Sequence, residues 1–173
     1  MSTIISHAAV PMALSACFPD GILSPETVLL GAICSMIPDL DVIGFAFGVR
    51  YGDPWGHRGA THSVFFALCL GALVTAVLPD EDRSWPVFLF LFLSALSHPL
   101  IDALTDGGLG VALFAPFSNT RYFFPWRPIA VPPIGILAFF SARGWHVLKS
   151  EMRWIGLPSA LVFGAAHAVK SLA

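Results

Sequence analysis

The chain has 173 residues, 56% of them hydrophobic and 12% charged, with a formal net charge of -2. A soluble domain carries about 25% charged residues, so this shortfall, with a mean hydropathy of +0.77, places the chain in the membrane class. A balance this close to neutral gives no argument for nucleic acid as a partner, and three cysteines set singly in apolar runs (Cys17, Cys34, Cys69) read as small core residues rather than a disulfide framework.

One domain over residues 1–173 accommodates the length. Residues 1–19 carry no formal charge and hold His7 near their start; they lack the basic region of a cleavable signal. Asp20, Gly21, Ser24, Pro25 and Glu26 make a turn. Thr27 to Ile37 is a short apolar run ending at Pro38-Asp39-Leu40-Asp41. Val42 to Val49 is far below the ~20 residues needed to cross a bilayer, which predicts a re-entrant or interfacial piece. Arg50 to Gly59 is rich in glycine and charge. Ser63 to Pro79 is uncharged, Asp80 to Arg83 is a polar turn, and Trp85 to Ser97 is an uncharged run leading into His98. Residues 107–128 form a long loop with Pro116, Pro125 and Pro128. Pro132 to Ala142 and Trp154 to Val169 read as two further helices joined by Arg143 to Arg153. Runs of roughly 15 to 18 residues predict an all-α, integral membrane bundle of about five to six short helices, some spanning and some buried.

The parity of the runs sorts the polar residues. With antiparallel hairpins, starts of odd helices and ends of even helices share one side. His7, Asp39 and Asp41, His57 and His62, and His98 with Asp102 then fall on one face, while Asp20, Glu26 and Asp80 to Arg83 fall on the other. This predicts a metal site at one membrane face. Trp55, Trp126, Trp145 and Trp154 near run ends fit an interfacial belt.

The central motif is Ser97-His98-Pro99-Leu100-Ile101-Asp102, followed by Thr105, Asp106 and two glycines. An imidazole and a carboxylate four residues apart lie on one helix face and can grip one ion. An ionisable pair at the end of a membrane-length helix points to function. In Gly56-His57-Arg58-Gly59-Ala60-Thr61-His62-Ser63 the two histidines stand about 140° apart on a regular helix, which places His57 on the preceding loop and His62 in the first helical turn. Thr61 is either a site residue or a helix cap. Arg58 and Arg121 are planar donors suited to phosphate, with Arg58 alternatively an interfacial anchor. Asp39 and Asp41, two apart in an extended segment, point the same way. The Gly107-Gly108-Leu109-Gly110 string is a helix stop, since no strand precedes it.

These pieces together resemble the YdjM-like family of inner-membrane proteins, some regulated by LexA and regarded as metal-dependent hydrolases. The matching residues are Ser6-His7, the Asp39 and Asp41 pair, the 56–63 motif, Ser97-His98 with Asp102 and Thr105, and Pro116-Phe117 with Arg121. The resemblance implies a multi-pass protein of the inner (cytoplasmic) membrane with hydrolase activity. The ligand order is also similar to zinc-dependent phospholipase C and the S1/P1-type nucleases, although no later His-x-x-x-Glu pair follows Asp102.

The expected metal ligands are therefore His7, Asp39, His57, His62, His98 and Asp102, holding one or two divalent ions, zinc first among them. Arg58 and Arg121 would hold phosphate oxygens. Asp41 or Asp106 would act as general base, with Thr61 beside them. The expected substrate is a phosphate ester of a membrane lipid. Two rivals share the ligands: a metal-dependent membrane amidase or protease, and a divalent-metal carrier or sensor.

Overall fold

The computed structural model describes residues 3–132 and 140–172. Among them the chain is helical, with no strand and two isolated bridges, Thr105 with Ile129 and Val111 with Tyr122. The N-terminal run is broken at Ala8 into α1 (Ile4–His7) and α2 (Ala9–Ser15).

α3 (Pro25–Met36) begins as its sequence dictates. The Ser24 hydroxyl accepts the Thr27 amide, Pro25 occupies the first turn, where no partner is needed for a missing N–H, and Glu26 sits at the positive end of the helix. After Met36 the backbone tightens into a 3-10 helix, Ile37–Phe47, ending on Gly48 in the left-handed conformation. The acid pair and the apolar patch behind it, expected as an extended segment and a separate re-entrant piece, are one helical continuation of α3. Pro38 accounts for the change, because an α-helix interior would need the N–H that proline lacks.

α4 (Val64–Val77) is capped by Ser63, whose hydroxyl accepts the Phe66 amide, and α5 (Trp85–Ala103) by Ser84 in the same way. Pro25–Phe47 and Trp85–Ala103 are the two stretches among the described residues long and apolar enough to cross a membrane; Val64–Val77 and Ile5–Ser15 are shorter.

Residues 143–153, expected as a connector, are mostly α6 (Ala142–Glu151), which passes through a π-helical turn, Met152–Gly156, into α7 (Leu157–Lys170). Gly144, Val147 and Glu151 are buried at helical spacing, a stripe that the intervening charges disguise. The expected helix over Pro132 to Ala142 lies largely outside the described residues. Lys170 ties α7 back to the turn before α3 by donating to Asp20, and its ammonium holds the Asp20 carboxyl below its ordinary value.

The core lies between α3, α4 and α5, where Cys34, Ala67, Val87, Phe90, Leu91 and Ala95 are buried. A smaller cluster of Ile101, Ile129 and Ile155 joins the end of α5, the long loop and the π turn. Small residues let the helices close up. A Cβ at Gly71 would stand 2.9 Å from the Phe92 backbone, so α4 and α5 touch main chain to main chain there. Gly71→Val should therefore force the pair apart. A loss of about 1–3 kcal/mol, typical of overpacking, should lower the thermal midpoint in detergent, with metal content per folded chain unchanged.

Candidate metal centre

Four elements end at one place. α3 runs into the 3-10 helix and brings Asp39 and Asp41, the loop before α4 brings His57, Arg58 and His62, the last two turns of α5 bring His98 and Asp102, and α1 brings His7. His7, Asp39, His57, Arg58, His62, His98 and Asp102 are all buried. The convergence expected from helix parity is thus present in space.

Asp39, His62, His98 and Asp102 form a group whose ligand atoms all lie within 4.8 Å of one another. The two histidine Nε2 atoms stand 3.0 Å apart. Asp39 Oδ1 is 3.4 Å from His98 Nε2 and 3.7 Å from His62 Nε2; Asp102 Oδ2 is 3.9 Å and 3.6 Å from the same atoms. Ligand atoms about 2.0–2.2 Å from a tetrahedral ion stand roughly 3.3–3.6 Å from each other, so these edges suit one divalent ion.

The outer partners decide which nitrogens face the group. His98 Nδ1 lies 2.7 Å from the Ser35 carbonyl oxygen, which can only accept, so Nδ1 carries the proton. His62 Nδ1 lies 3.2 Å from Asp41 Oδ2, a carboxylate, and carries its proton likewise. In the neutral form of both rings, the Nε2 atoms are then lone-pair acceptors pointing at each other. Neither Asp39 oxygen takes a hydrogen bond from the protein. Acceptors gathered in a buried space without donors are costly unless a cation joins them. Carboxylate and carbonyl partners behind ligating histidines are the usual outer shell of a metal site.

Asp41 is that shell's hub. Its Oδ1 accepts from His57 Nδ1 at 2.7 Å, and its Oδ2 from the Arg58 amide at 3.1 Å and the Thr61 hydroxyl at 3.0 Å. Asp41, His57 and His62 form a second group in which ion ligands are close together, but the His57–Asp41 distance is that of a hydrogen bond. Thr61 supports Asp41, and the helix cap falls to Ser63. His57 Nε2 is buried and meets no protein partner. His7 stacks flat on His98, with ring centroids 3.7 Å apart, and its Nε2 lies 3.8 Å from Asp102 Oδ1. It borders the four-residue group.

The arginines face inward. Arg58 has φ 63, an uncommon left-handed conformation for a residue with a Cβ, which costs about 1–2 kcal/mol. That backbone turns its side chain into the protein. Its Nε meets Asp102 Oδ2 at 3.0 Å, Nη1 donates to the Gly107 carbonyl, and Nη2 donates to the Thr105 hydroxyl, each at 2.9 Å. Arg121 donates to the carbonyls of His57, Tyr51 and Asp53, stapling the loop 107–128 onto the loop before α4; burial moves its guanidinium below its ordinary value. The expected phosphate clamp is thus replaced by two internal braces. Asp106 leaves the site as well. It is exposed and accepts the Val131 amide, because the helix ends at Ala103 and the chain turns away.

Gly107 and Gly108 do more than stop a helix. Gly108 has φ +89, and a Cβ there would stand 2.7 Å from the Tyr51 hydroxyl and 2.9 Å from Arg58 Nη1. Burial raises the Tyr51 phenol above its ordinary value. Thr105, Gly107 and Ser35 were missing from the expected site. Thr105 and Gly107 stand beside the central motif, whereas the Ser35 contribution is a backbone carbonyl that no sequence pattern marks.

The chain matches the model of a family described as YdjM inner membrane protein over residues 1–172. It is 39% identical over 166 residues to the inner membrane protein YbcI of Escherichia coli, covering 95% of this chain and 96% of that one. No solved structure matches.

Two substitutions separate the inner group from its shell. His98→Ala should abolish tight binding of a divalent ion. Asp41→Asn should weaken it by about 10–100-fold, the usual effect of removing an outer-shell partner. Chelator competition on the purified protein measures both, and an unchanged affinity in Asp41→Asn would remove its role as hub.

Proposed function

The chain belongs to the YdjM inner membrane protein family, and from that premise we propose that it is a membrane-embedded, metal-dependent hydrolase. One observation carries the reading: two buried Nε2 acceptors 3.0 Å apart beside a carboxylate with no donor of its own. Asp39, His62, His98 and Asp102 would hold the ion, with zinc the first choice for imidazole and carboxylate ligands without thiolate. Taking a fifth ligand there, a divalent ion would polarise an ester oxygen or lower the pKa of a water.

The other residues serve that group. Asp41 fixes the His62 ring, and the Ser35 carbonyl fixes the His98 ring. Arg58 holds the Asp102 carboxylate in one orientation. His57, set by Asp41 through Nδ1, keeps its Nε2 as an acceptor for a substrate hydroxyl or water. Asp41 acts here as an orienting group, and Asp106 as a loop anchor. One ion accounts for the geometry; a second would have to displace the His57–Asp41 hydrogen bond.

The substrate we favour is a phosphate ester of a membrane lipid. Pro25–Phe47 and Trp85–Ala103 would cross the membrane, with α4 and the N-terminal helices packed beside them in a multi-pass arrangement. Phe47, Trp55, Phe117 and Trp126, on the segments around the site, expose large aromatic surfaces suited to the headgroup zone. A second reading, a metal-dependent membrane amidase or protease, is favoured by a specific observation: Arg58 and Arg121 are engaged within the chain, and a carbonyl substrate needs no guanidinium.

Elemental analysis of the purified protein should find about one zinc-like ion per chain, lost in His98→Ala, which removes one of its ligands. Lipid phosphates and neutral amide lipids, each offered in mixed micelles, should then divide the two hydrolase readings. Turnover of phosphates lost in Asp102→Asn supports the first. A bound ion with no turnover of either class would leave a carrier or sensor, and no bound ion after supply of divalent metals would overturn the metal reading.

A further inference from the structure

The C-terminal hairpin carries a buried carboxylate outside the metal centre. Glu151, at the end of α6, is 3% exposed. Its partners are donors of the N-terminal segment: the Thr3 amide, the Thr3 hydroxyl at 2.6 Å and the Ser6 hydroxyl at 2.7 Å. Thr3 and Ser6 also bond to each other through their hydroxyls. Residues almost 150 positions apart in sequence are thus closed into one polar knot.

The knot's place in the fold gives it a purpose. Ser6 immediately precedes His7, and Thr3 to His7 is a single short helix with its cap. A helix of four residues has little stability of its own, so α1 depends on outside contacts for its position. Its last residue lays its ring flat on His98, a member of the four-residue group, and faces Asp102. Glu151 also borders the π turn Met152–Gly156, and such turns are frequent at functional sites. Ile155 of that turn is buried with Ile101, one residue before Asp102.

We propose that Glu151 is a positioning residue that clamps the N-terminal segment so that His7 stacks on His98 and stiffens the metal centre. The proposal rests on the metal reading only for its effect on affinity; the placement of His7 stands on the contacts alone. It also gives α6 and the π turn a role in the site, as the support of one wall.

The test uses the full chain in detergent and two readouts. The first is chelator competition for zinc across wild type, Glu151→Ala, His7→Ala and the double variant. Loss of an outer support should weaken binding by about tenfold in Glu151→Ala. Because Glu151 acts through His7, adding Glu151→Ala to His7→Ala should bring no further loss, which a double-mutant cycle reads directly. Independent, multiplying losses would overturn the proposal. The second readout needs no metal: modification of His7 by diethylpyrocarbonate, followed by mass spectrometry. His7 should be protected in wild type and reactive in Glu151→Ala. Protection retained in Glu151→Ala would overturn the clamp even if the protein binds no metal, whereas a wild type without metal but with the expected change in His7 reactivity would sink only the metal reading. Glu151→Gln keeps the volume and one acceptor and should lie between the two; it replaces Glu151→Ala if that variant fails to fold.

Discussion

The structure turns on a balance of buried charge. Asp39, Asp41 and Asp102 stand together at the end of the helices, and the guanidinium buried against them is that of Arg58. Asp41 is compensated by the donors around it, and Asp102 by Arg58. Asp39 receives no hydrogen bond, and the two histidines nearest to it, when neutral, present lone pairs. Removing an ionised carboxylate from water costs several kcal/mol even after relaxation, and a membrane setting raises that cost. A cation between Asp39, His62 and His98 resolves the imbalance, because the donors around Asp41 and Asp102 are already committed.

The fold meets this demand through the ends of helices, where backbone groups are free. In a 3-10 ladder the Ser35 carbonyl would pair with the amide of residue 38, and Pro38 has none. That carbonyl is instead taken by His98 Nδ1. One proline thus does two things: it starts the turn that aims Asp39 at the centre, and it releases the acceptor that orients His98. A similar economy holds at Arg58, whose left-handed backbone sends the amide to Asp41 and the side chain to Asp102, joining the shell on one side of His62 to the carboxylate on the other.

Much of this was legible in the sequence. The spacing of His98 and Asp102, the pairing of His57 with His62 around glycines, and the alternation of polar ends along the chain all point to one site on one face, and the structure gathers those residues. Side-chain direction was less legible. Both arginines read as donors for a substrate because arginine type and location are visible, while the φ of Arg58 and the carbonyls around Arg121 are properties of the folded backbone. Asp106 follows the helical face of Asp102 in sequence, yet the helix stops three residues before it. Glu151 was hidden for a different reason. Its partners lie at the other end of the chain, and a carboxylate between charged neighbours in α6 reads as a solvated residue until the apolar spacing of Gly144 and Val147 is taken with it.

The inward arginines also bear on how firmly the site residues are held. A guanidinium that braces Asp102 against Thr105 and Gly107 contributes by keeping a ligand rigid, and a one-ångström drift of such a ligand is enough to spoil a catalytic geometry. Arg121 holds the loop 107–128 down by carbonyls at three points, and within it Phe117 packs edge-on against Phe65 of α4 and Phe114 against Tyr122.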